Sequence, residues 1–391
     1  MARDSSEIAD ISFILQEPMK PKIVTQEYSI GMRPSSEVYF GGPDRPSGYL
    51  RDVLEEHIAA IPAGGSIDWI TYYFRDLRLA ESLIQARKRG VKITLSLAGK
   101  PRTSDANDAV IAMLSGSNGL GDGLRIVTLP GIPAPPGRAW RPQLHEKLYC
   151  FSHPKPIAFI GSFNPSGNNP EERPDIIREI GDQDRGYNAL IGFVDPVLVE
   201  QLVSHARKLH QKPLGLFYRF SAEANKAINV DGTSIYFWPR IGSHPVIQFL
   251  RQLGNGARVR IFASHIRSEA AVNSMIELAN RGVSLEIFAD STYRRVTRKV
   301  EQRLVSAGIQ FKRSRNLQEL PMHLKLVLVE DQGKVWSIFG SFNWTKPSFW
   351  LNHEIAAITS DSMLFKALSE YCDLLEAKDF ELPEHANLIT V

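Results

Sequence analysis

The stretch 322-MHLKLVLVEDQGKVWSIFGSFNWTKPSFWLNHE-354 decides the fold. His323 and Lys325 stand two residues apart in an alternating Leu/Val run, so on a strand both side chains leave from one face. The run Val335–Phe339 reads as a second strand that ends in Gly340-Ser341-Phe342-Asn343, a tight turn carrying a hydroxyl and an amide. Two neighbouring strands thus bring His, Lys, Ser and Asn to one place. An imidazole that can attack or protonate then sits beside a fixed cation and neutral hydrogen-bonding groups, which suits a tetrahedral anion.

The kit occurs twice. Leu144–Phe151 carries His145 and Lys147 at the same spacing, and Ile157–Ile160 runs into Gly161-Ser162-Phe163-Asn164. The repeat reaches beyond the motifs: Val38-Tyr39-Phe40 matches Ile235-Tyr236-Phe237, Ser66–Phe74 matches Ala257–Ile266, and Arg89-Gly90-Val91 matches Arg281-Gly282-Val283. Helical spacing of Leu50, Val53, Leu54, Ile58 and Ile61 predicts a helix after the first strand. The order strand, Leu79–Arg89 helix, Val91–Leu97 strand predicts a parallel βαβ unit. The expected fold is therefore α/β, with two homologous halves, each a mixed, mostly parallel sheet flanked by helices, related by a pseudo-twofold axis. The expected organisation is an arm over residues 1–36, a first half over 37–214 and a second over 215–391. Each half supplies one histidine, so both build one cleft and catalysis does not require a dimer.

At 391 residues the chain has ample material for two cores, and a formal net charge of +3 is too mild to name a polyanionic partner. Cys150 and Cys372 lack metal or disulfide spacing, and Cys150 falls in an apolar run that reads as core. No HExxH or Cys/His cluster appears, so no metal and no cofactor are expected. The first residues lack the apolar run of a signal peptide and no stretch approaches membrane-spanning length, which reads as a cytoplasmic protein without a transmembrane segment.

Two HxK…GSxN pairs in matching context resemble the phospholipase D superfamily over roughly residues 37 to 376. The aspartate that family places five residues after the lysine is Ser152 in one copy and Glu330 in the other. The resemblance implies a metal-independent phosphodiesterase working through a phosphohistidine. One histidine attacks and the other protonates the leaving oxygen. Lys147 and Lys325 neutralise the phosphoryl oxygens, while Ser162, Asn164, Ser341 and Asn343 bind the phosphate. It also implies a carboxylate downstream of GSxN that orients the motif histidine, a position Glu354 fits for His323; the first half offers Asn188, with Asp182 and Asp184 upstream. The first motif, hence His145, is expected to be the nucleophile. A carboxylate on His323 would favour that residue as the proton-transfer group or even as the nucleophile.

The substrate is less legible. The second motif, GSFNWT followed by LNHE, looks like nuclease-type members, which favours DNA or RNA. The alternative is a phospholipase D or cardiolipin-synthase-like phosphatidyltransferase acting on phospholipid. A catalytically silent scaffold is a third reading, opposed by the intact His and Lys in both copies. Basic residues from Arg294 to Arg315, among them Arg294, Arg295 and Arg298, suit a phosphate-tracking groove or simply a solvated helix face. Arg138, Trp140 and Arg141 precede His145 and join the candidate groove. The aromatics Phe342, Trp344, Phe349 and Trp350 fit acyl-chain contact or core packing equally. His57, His153, His205, His210, His244, His265 and His385 have no motif partner and read as structural, and His353 is ambiguous beside Glu354.

Overall fold

Two mixed β-sheets, one built by each half, carry the chain. The computed structural model describes residues 36–134, 138–167, 173–179, 186–315 and 320–381, so most of the expected arm lies outside the described residues, as do Asp182 and Asp184. In the first half the strands are β1 (Ser36–Gly41), β2 (Ser66–Thr71), β3 (Lys92–Ala98), β4 (Leu124–Val127), β5 (Ile132–Ala134), β6 (Arg138–Trp140), β7 (Leu148–Phe151), β8 (Ile157–Gly161) and β9 (Asn188–Phe193). In the second they are β10 (Ile228–Val230), β11 (Thr233–Trp238), β12 (Arg258–Ala263), β13 (Ser284–Ala289), β14 (Gln310–Ser314), β15 (Lys325–Asp331), β16 (Lys334–Gly340), β17 (Glu354–Thr359) and β18 (Phe380–Glu381).

The sheet orders are β1-β9-β8-β7-β2-β3-β4 and β10-β11-β17-β16-β15-β12-β13-β14-β18. Strand for strand, β1 answers to β11, β9-β8-β7 to β17-β16-β15, and β2-β3-β4 to β12-β13-β14, which is the repeat read from the sequence. The α/β class and the flanked mixed sheets are as expected. Parallel pairing is narrower than the expected "mostly parallel". It is confined to β2-β3-β4 and β12-β13-β14, and the other pairs of the two sheets are antiparallel. The reason is connection length. β15 and β16 are joined by a tight turn in which Gln332 (φ 49°) and Gly333 (φ 76°) are left-handed, and such hairpins force antiparallel neighbours.

The parallel units follow from their helices. Asp76 caps the helix Leu77–Lys88 by accepting from Leu79 N (2.9 Å), and Gly90 (φ 92°) ends it. Gly282 (φ 85°) does the same after the helix Glu269–Asn280. Asp195 and Asp361 cap Pro196–Gln211 and Ser362–Asp379. The helices Pro196–Gln211 and Ser362–Asp379 bury a core that runs through both halves, in which Ile160, Leu202, Leu326, Phe339 and Leu368 are each at most 2% exposed, while Leu77–Lys88 and Glu269–Asn280 each pack into a separate cluster of their own half. Phe193 of β9 stacks on Phe339 of β16, ring centroids 5.9 Å apart. Cys150 and Cys372 are free and buried, as read for Cys150.

The HxK segments leave the regular ladder where their chemistry begins. β7 starts at Leu148 and β15 at Lys325, so both histidines stand just before their strands rather than within them. Their backbones pair with the other half. His145 N donates to His353 O (2.8 Å) and His353 N to Gln143 O (2.8 Å); His323 N donates to Tyr187 O (3.0 Å) and Tyr187 N to Pro321 O (3.0 Å). Each half thus threads its histidine onto the strand entry of its twin.

Candidate active site

That exchange decides which group each histidine meets. His145 Nδ1 lies 2.7 Å from Glu354 Oε2, and His323 Nδ1 lies 2.8 Å from Asn188 Oδ1. The expectation that Glu354 orients His323 is therefore corrected. Nearness along the chain misleads here because β17 begins at Glu354 beside the segment carrying His145, not the one carrying His323. Each partner is held in turn by its own half. Ser341 Oγ and Asn352 Nδ2 donate to the Glu354 carboxylate (2.5 and 3.0 Å), and Ser162 Oγ donates to Asn188 Oδ1 (3.0 Å).

The same bonds correct the role expected of the serines. Ser162 Oγ also accepts from Ala189 N (3.1 Å) and Ser341 Oγ from Ile355 N (3.0 Å). Both hydroxyls are consumed in positioning the histidine partners, away from where phosphate would sit. The lysines occupy equivalent places: Lys147 Nζ donates to His145 O (2.9 Å) and Lys325 Nζ to His323 O (2.8 Å). Their ammonium groups are tied beside the histidines they accompany.

Burial sets the proton affinities. It pulls the His145 imidazole down to about 4 against the upward pull of Glu354. Burial, then Lys325, Lys147 and Arg295, hold His323 well below the ordinary histidine value. Lys147 is drawn down to about 7 by burial, opposed by Glu354, and Lys325 also falls well below its ordinary value through burial and Lys147. Burial would raise the Glu354 carboxyl, but His145, Lys147 and Ser341 outweigh it and keep the group at about 2. An anion arriving between these cations would raise every one of their pKa values.

Both histidines open into one cleft of about 670 Å³. Asn164 and Asn343 reach it as expected, and Asn343 Oδ1 has no hydrogen-bond partner. Tyr72 and Tyr73 form a wall beside His145; the Tyr72 ring lies 4.8 Å from the imidazole and 5.4 Å from Lys147 Nζ. Arg102, Arg141, Arg267, Arg295 and Lys346 also line the cleft, and no aspartate or glutamate does among the described residues.

Of the expected groove, Arg141 is in place, whereas Arg294 and Arg298 are not part of the lining, and Arg298 packs over Tyr293 (4.9 Å). The basic run before the second motif is in part answered by carboxylates: Arg303 by Glu269 (2.7 Å), Arg313 by Glu301 (2.6 Å) and Lys312 by Glu376. Arg295 alone of that run enters the cleft. Arg138 and Trp140 lie on β6, paired with β5, and their side chains fall outside the described residues. Phe342, Trp344 and Phe349 are core residues, while Trp350 is 46% exposed at the end of the short helix Lys346–Trp350. His353 faces Glu146 (3.7 Å) and is absent from the cleft lining. His265, read as structural, lines the cleft. The repeat held the signal for it. β2 and β12 pair with the two HxK strands so that Ile70 meets Leu148 and Phe262 meets Leu326, which makes His265 the counterpart of Tyr73.

A family model described as "Cardiolipin synthase, PLD-like domain" matches residues 249–375. No match is found among curated proteins. Among solved structures, the phosphatidylserine synthase of Haemophilus influenzae Rd KW20 is similar over 90% of this chain and 89% of its own, at 12% identity and a TM-score of 0.61. A polyphosphate kinase from Porphyromonas gingivalis is similar over 86% of this chain at 13% identity and a TM-score of 0.54, and the chain spans about half, 49%, of its length. Nuc from Salmonella typhimurium, a phospholipase D family member, matches 39% of this chain at 19% identity with a TM-score of 0.34. At these identities the structural likenesses bear on fold alone. No helix among the described residues is long and apolar enough to cross a membrane.

Proposed function

We propose that this chain is a phosphodiesterase of the phospholipase D superfamily in which His145 is the nucleophile and His323 the proton donor, a reading supported by the PLD-like domain model matched over residues 249–375. The observation that carries the assignment is the unequal partnering of the two rings. Glu354 and Asn188 each accept an Nδ1–H, leaving both Nε2 lone pairs for the cleft. When His145 Nε2 bonds to phosphorus its ring becomes cationic, and the Glu354 carboxylate supplies the countercharge. His323 has only a neutral amide, so a proton held there is given up readily to the departing alkoxide oxygen. The neutral His323 then takes a proton from water or an alcohol, which attacks the phosphohistidine and frees His145. Lys147 and Lys325, charged once the phosphate is bound, offset its oxygens, with Asn164 and Asn343 as neutral donors.

For the substrate, a phospholipid diester comes first, with hydrolysis or exchange of a head group. The cardiolipin-synthase description of the domain model over residues 249–375 supports it, and exposed Trp350, on the short helix whose Lys346, Pro347 and Ser348 line the cleft, suits an interfacial contact. Nucleic acid is the second reading, favoured by the five further cations of the cleft and the lack of carboxylates in its described lining. The sequence places nucleic acid first, whereas the domain model matched over residues 249–375 supports the phospholipid reading.

Both readings are tested by offering phosphatidylglycerol vesicles with an alcohol acceptor, single-stranded DNA, RNA and bis(4-nitrophenyl) phosphate, all in EDTA. Head-group release or exchange with intact nucleic acid is the expected result, whereas salt-sensitive cleavage of nucleic acid with intact lipid selects the second reading. With the 4-nitrophenyl diester, whose leaving group needs no proton, His323→Ala should accumulate an acid-labile phosphoenzyme and His145→Ala none. Phosphate trapped on His323 would reverse the roles, and no turnover of any diester would overturn the proposal.

A further inference from the structure

The two walls of the cleft are unlike, although the repeat builds them from equivalent positions. Beside His145 the turn after β2 presents Tyr72 and Tyr73. Beside His323 the turn after β12 presents Ser264, His265 and, two residues on, Arg267. Both turns are fixed identically to the neighbouring motif. Arg75 and Asp76 donate their backbone N–H to Pro165 O (2.8 and 3.2 Å), and Arg267 and Ser268 donate theirs to Trp344 O (2.8 and 2.9 Å). The difference therefore lies in side chains on a shared backbone, not in a displaced loop.

The two walls are also held differently: Arg102 N and Thr103 N donate to the Tyr72 and Tyr73 hydroxyls (2.8 and 3.3 Å) in the first, whereas an ion pair holds the second. Arg295, 4% exposed, bonds Ser264 Oγ (3.1 Å) and pairs with Asp290 (3.2 Å), and Ser264 in turn contacts His265 Nδ1 (3.0 Å). The position equivalent to Asp290 at the end of β3 is Ala98, so the first half has no such anchor. Arg267 is exposed and makes no ion pair among the described residues. Arg102, whose N donates to the Tyr72 hydroxyl, lines the same cleft, and after burial its charge adds to those of Arg295, Lys325 and Arg294 in lowering the proton affinity of His265. One phosphodiester and the ionised Glu354 carry two negative charges, which Lys147 and Lys325 already balance. The further cations that line the cleft, His265's neighbours Arg267 and Arg295 on the His323 side among them, have no counterpart in that charge.

We propose that His265, Arg267 and Arg295, with Arg102, form a second anion subsite on the leaving-group side of the scissile phosphorus. The alcohol that departs past His323 then bears a phosphate or carboxylate, while the group retained on His145 lies against the tyrosines. The proposal rests on the phosphodiesterase reading and its assignment of His323 as proton donor. His265, neutral in the free cleft, would gain a proton as the second anion enters.

The test uses the full chain and two measurements. Inorganic pyrophosphate can reach both subsites and orthophosphate only one, so calorimetry should give pyrophosphate an affinity higher by roughly tenfold or more, the value of one charge-assisted hydrogen bond. The ratio should collapse in Arg267→Gln and in His265→Phe, with circular dichroism and orthophosphate binding reporting that each variant is folded. Equal affinities in the wild type would overturn the proposal whether or not any diester is turned over. Turnover then fixes the direction: of two methyl 4-nitrophenyl phosphate analogues, one with a carboxylate on the leaving ring and one with it on the retained alcohol, the first should show the higher kcat/KM relative to the parent diester. Turnover of the parent with equal or reversed preference overturns the subsite and leaves the phosphodiesterase reading standing, whereas loss of all turnover counts against that reading alone.

Discussion

Replacing Glu354 by glutamine keeps the shape of the partner at His145 and removes its charge. If that carboxylate supports a cationic phosphohistidine, kcat should fall by about a hundred- to ten-thousandfold, as when a triad carboxylate is neutralised elsewhere. Glu354 raises the proton affinity of His145, so its loss should also move the acid limb of the pH–rate profile to lower pH. Asn188→Asp does the reverse for the other ring: it gives His323 a countercharge and should carry the alkaline limb upward. Steady-state rates from about pH 3, below the value of about 4 for His145, to about pH 9 measure both shifts. A Glu354→Gln enzyme within twofold of wild type, or limbs that do not move, would sink the assignment. None of this asymmetry is legible in one half. The types His, Lys, Ser and Asn are visible because each motif is local. The pairing of His145 with Glu354 is set by a backbone contact between residues 145 and 353, which no spacing within a motif encodes.

The strands that carry the partners explain why each serine is preceded by glycine. A Cβ on Gly161 would lie 2.0 Å from Ala189 O, and one on Gly340, whose φ is 154°, would lie 2.1 Å from Ile355 O. In both halves the strand ending in GSxN must touch the backbone of the strand that begins with Asn188 or Glu354, because the serine Oγ bridges to that side chain and to the next N–H. Gly161→Ala should therefore push β8 from β9, costing about 1–3 kcal/mol as an overpacked contact, and should reduce kcat beyond what the loss of folded protein explains. Urea melts with parallel activity measurements check this, and a variant of unchanged stability and rate would refute the close-approach argument. At this scale the sequence was a good guide to the elements and a poorer one to their ends. Ser66–Phe74 reads as one strand, yet β2 stops at Thr71. Beyond it Asn107, distant in sequence, takes over the backbone: its Oδ1 accepts from Phe74 N (2.9 Å) and its Nδ2 donates to Tyr72 O (2.7 Å). That tertiary bond turns an aromatic run that looks like strand into the rim of the cleft, and its twin made His265 look structural.

Across the whole molecule, burial keeps an unusual number of histidines neutral. His57, His145, His244, His265, His323 and His353 all lie below the ordinary value chiefly through desolvation, His145 at about 4 and His244 at about 3. For a base depressed in the folded state, the unfolded chain binds the extra proton between the folded pKa and the ordinary value near 6.5. Stability should therefore fall as pH drops from about 6.5 toward 4, each proton taken up on unfolding removing about 1.4 kcal/mol per pH unit. Lys147, at about 7 when folded, works in the same direction at higher pH, where stability should rise from about 7 toward its ordinary value near 10.4. Glu354 adds a loss of the same sign below the ordinary carboxylate range, as pH falls toward its folded value of about 2. Thermal melts between pH 8 and 5 should thus show a steadily falling Tm with decreasing pH. Phosphate should blunt the part that belongs to the cleft, because an anion there lets His145 and His323 charge without unfolding. His244 separates the two contributions. Both its ring nitrogens are buried without partners, with Trp238 and Phe349 at 4.5 and 4.2 Å between ring centroids. His244→Phe should flatten the acid slope in the presence and absence of phosphate while the phosphate effect itself persists. A slope unchanged in that variant would show that His244 takes no part in the acid loss.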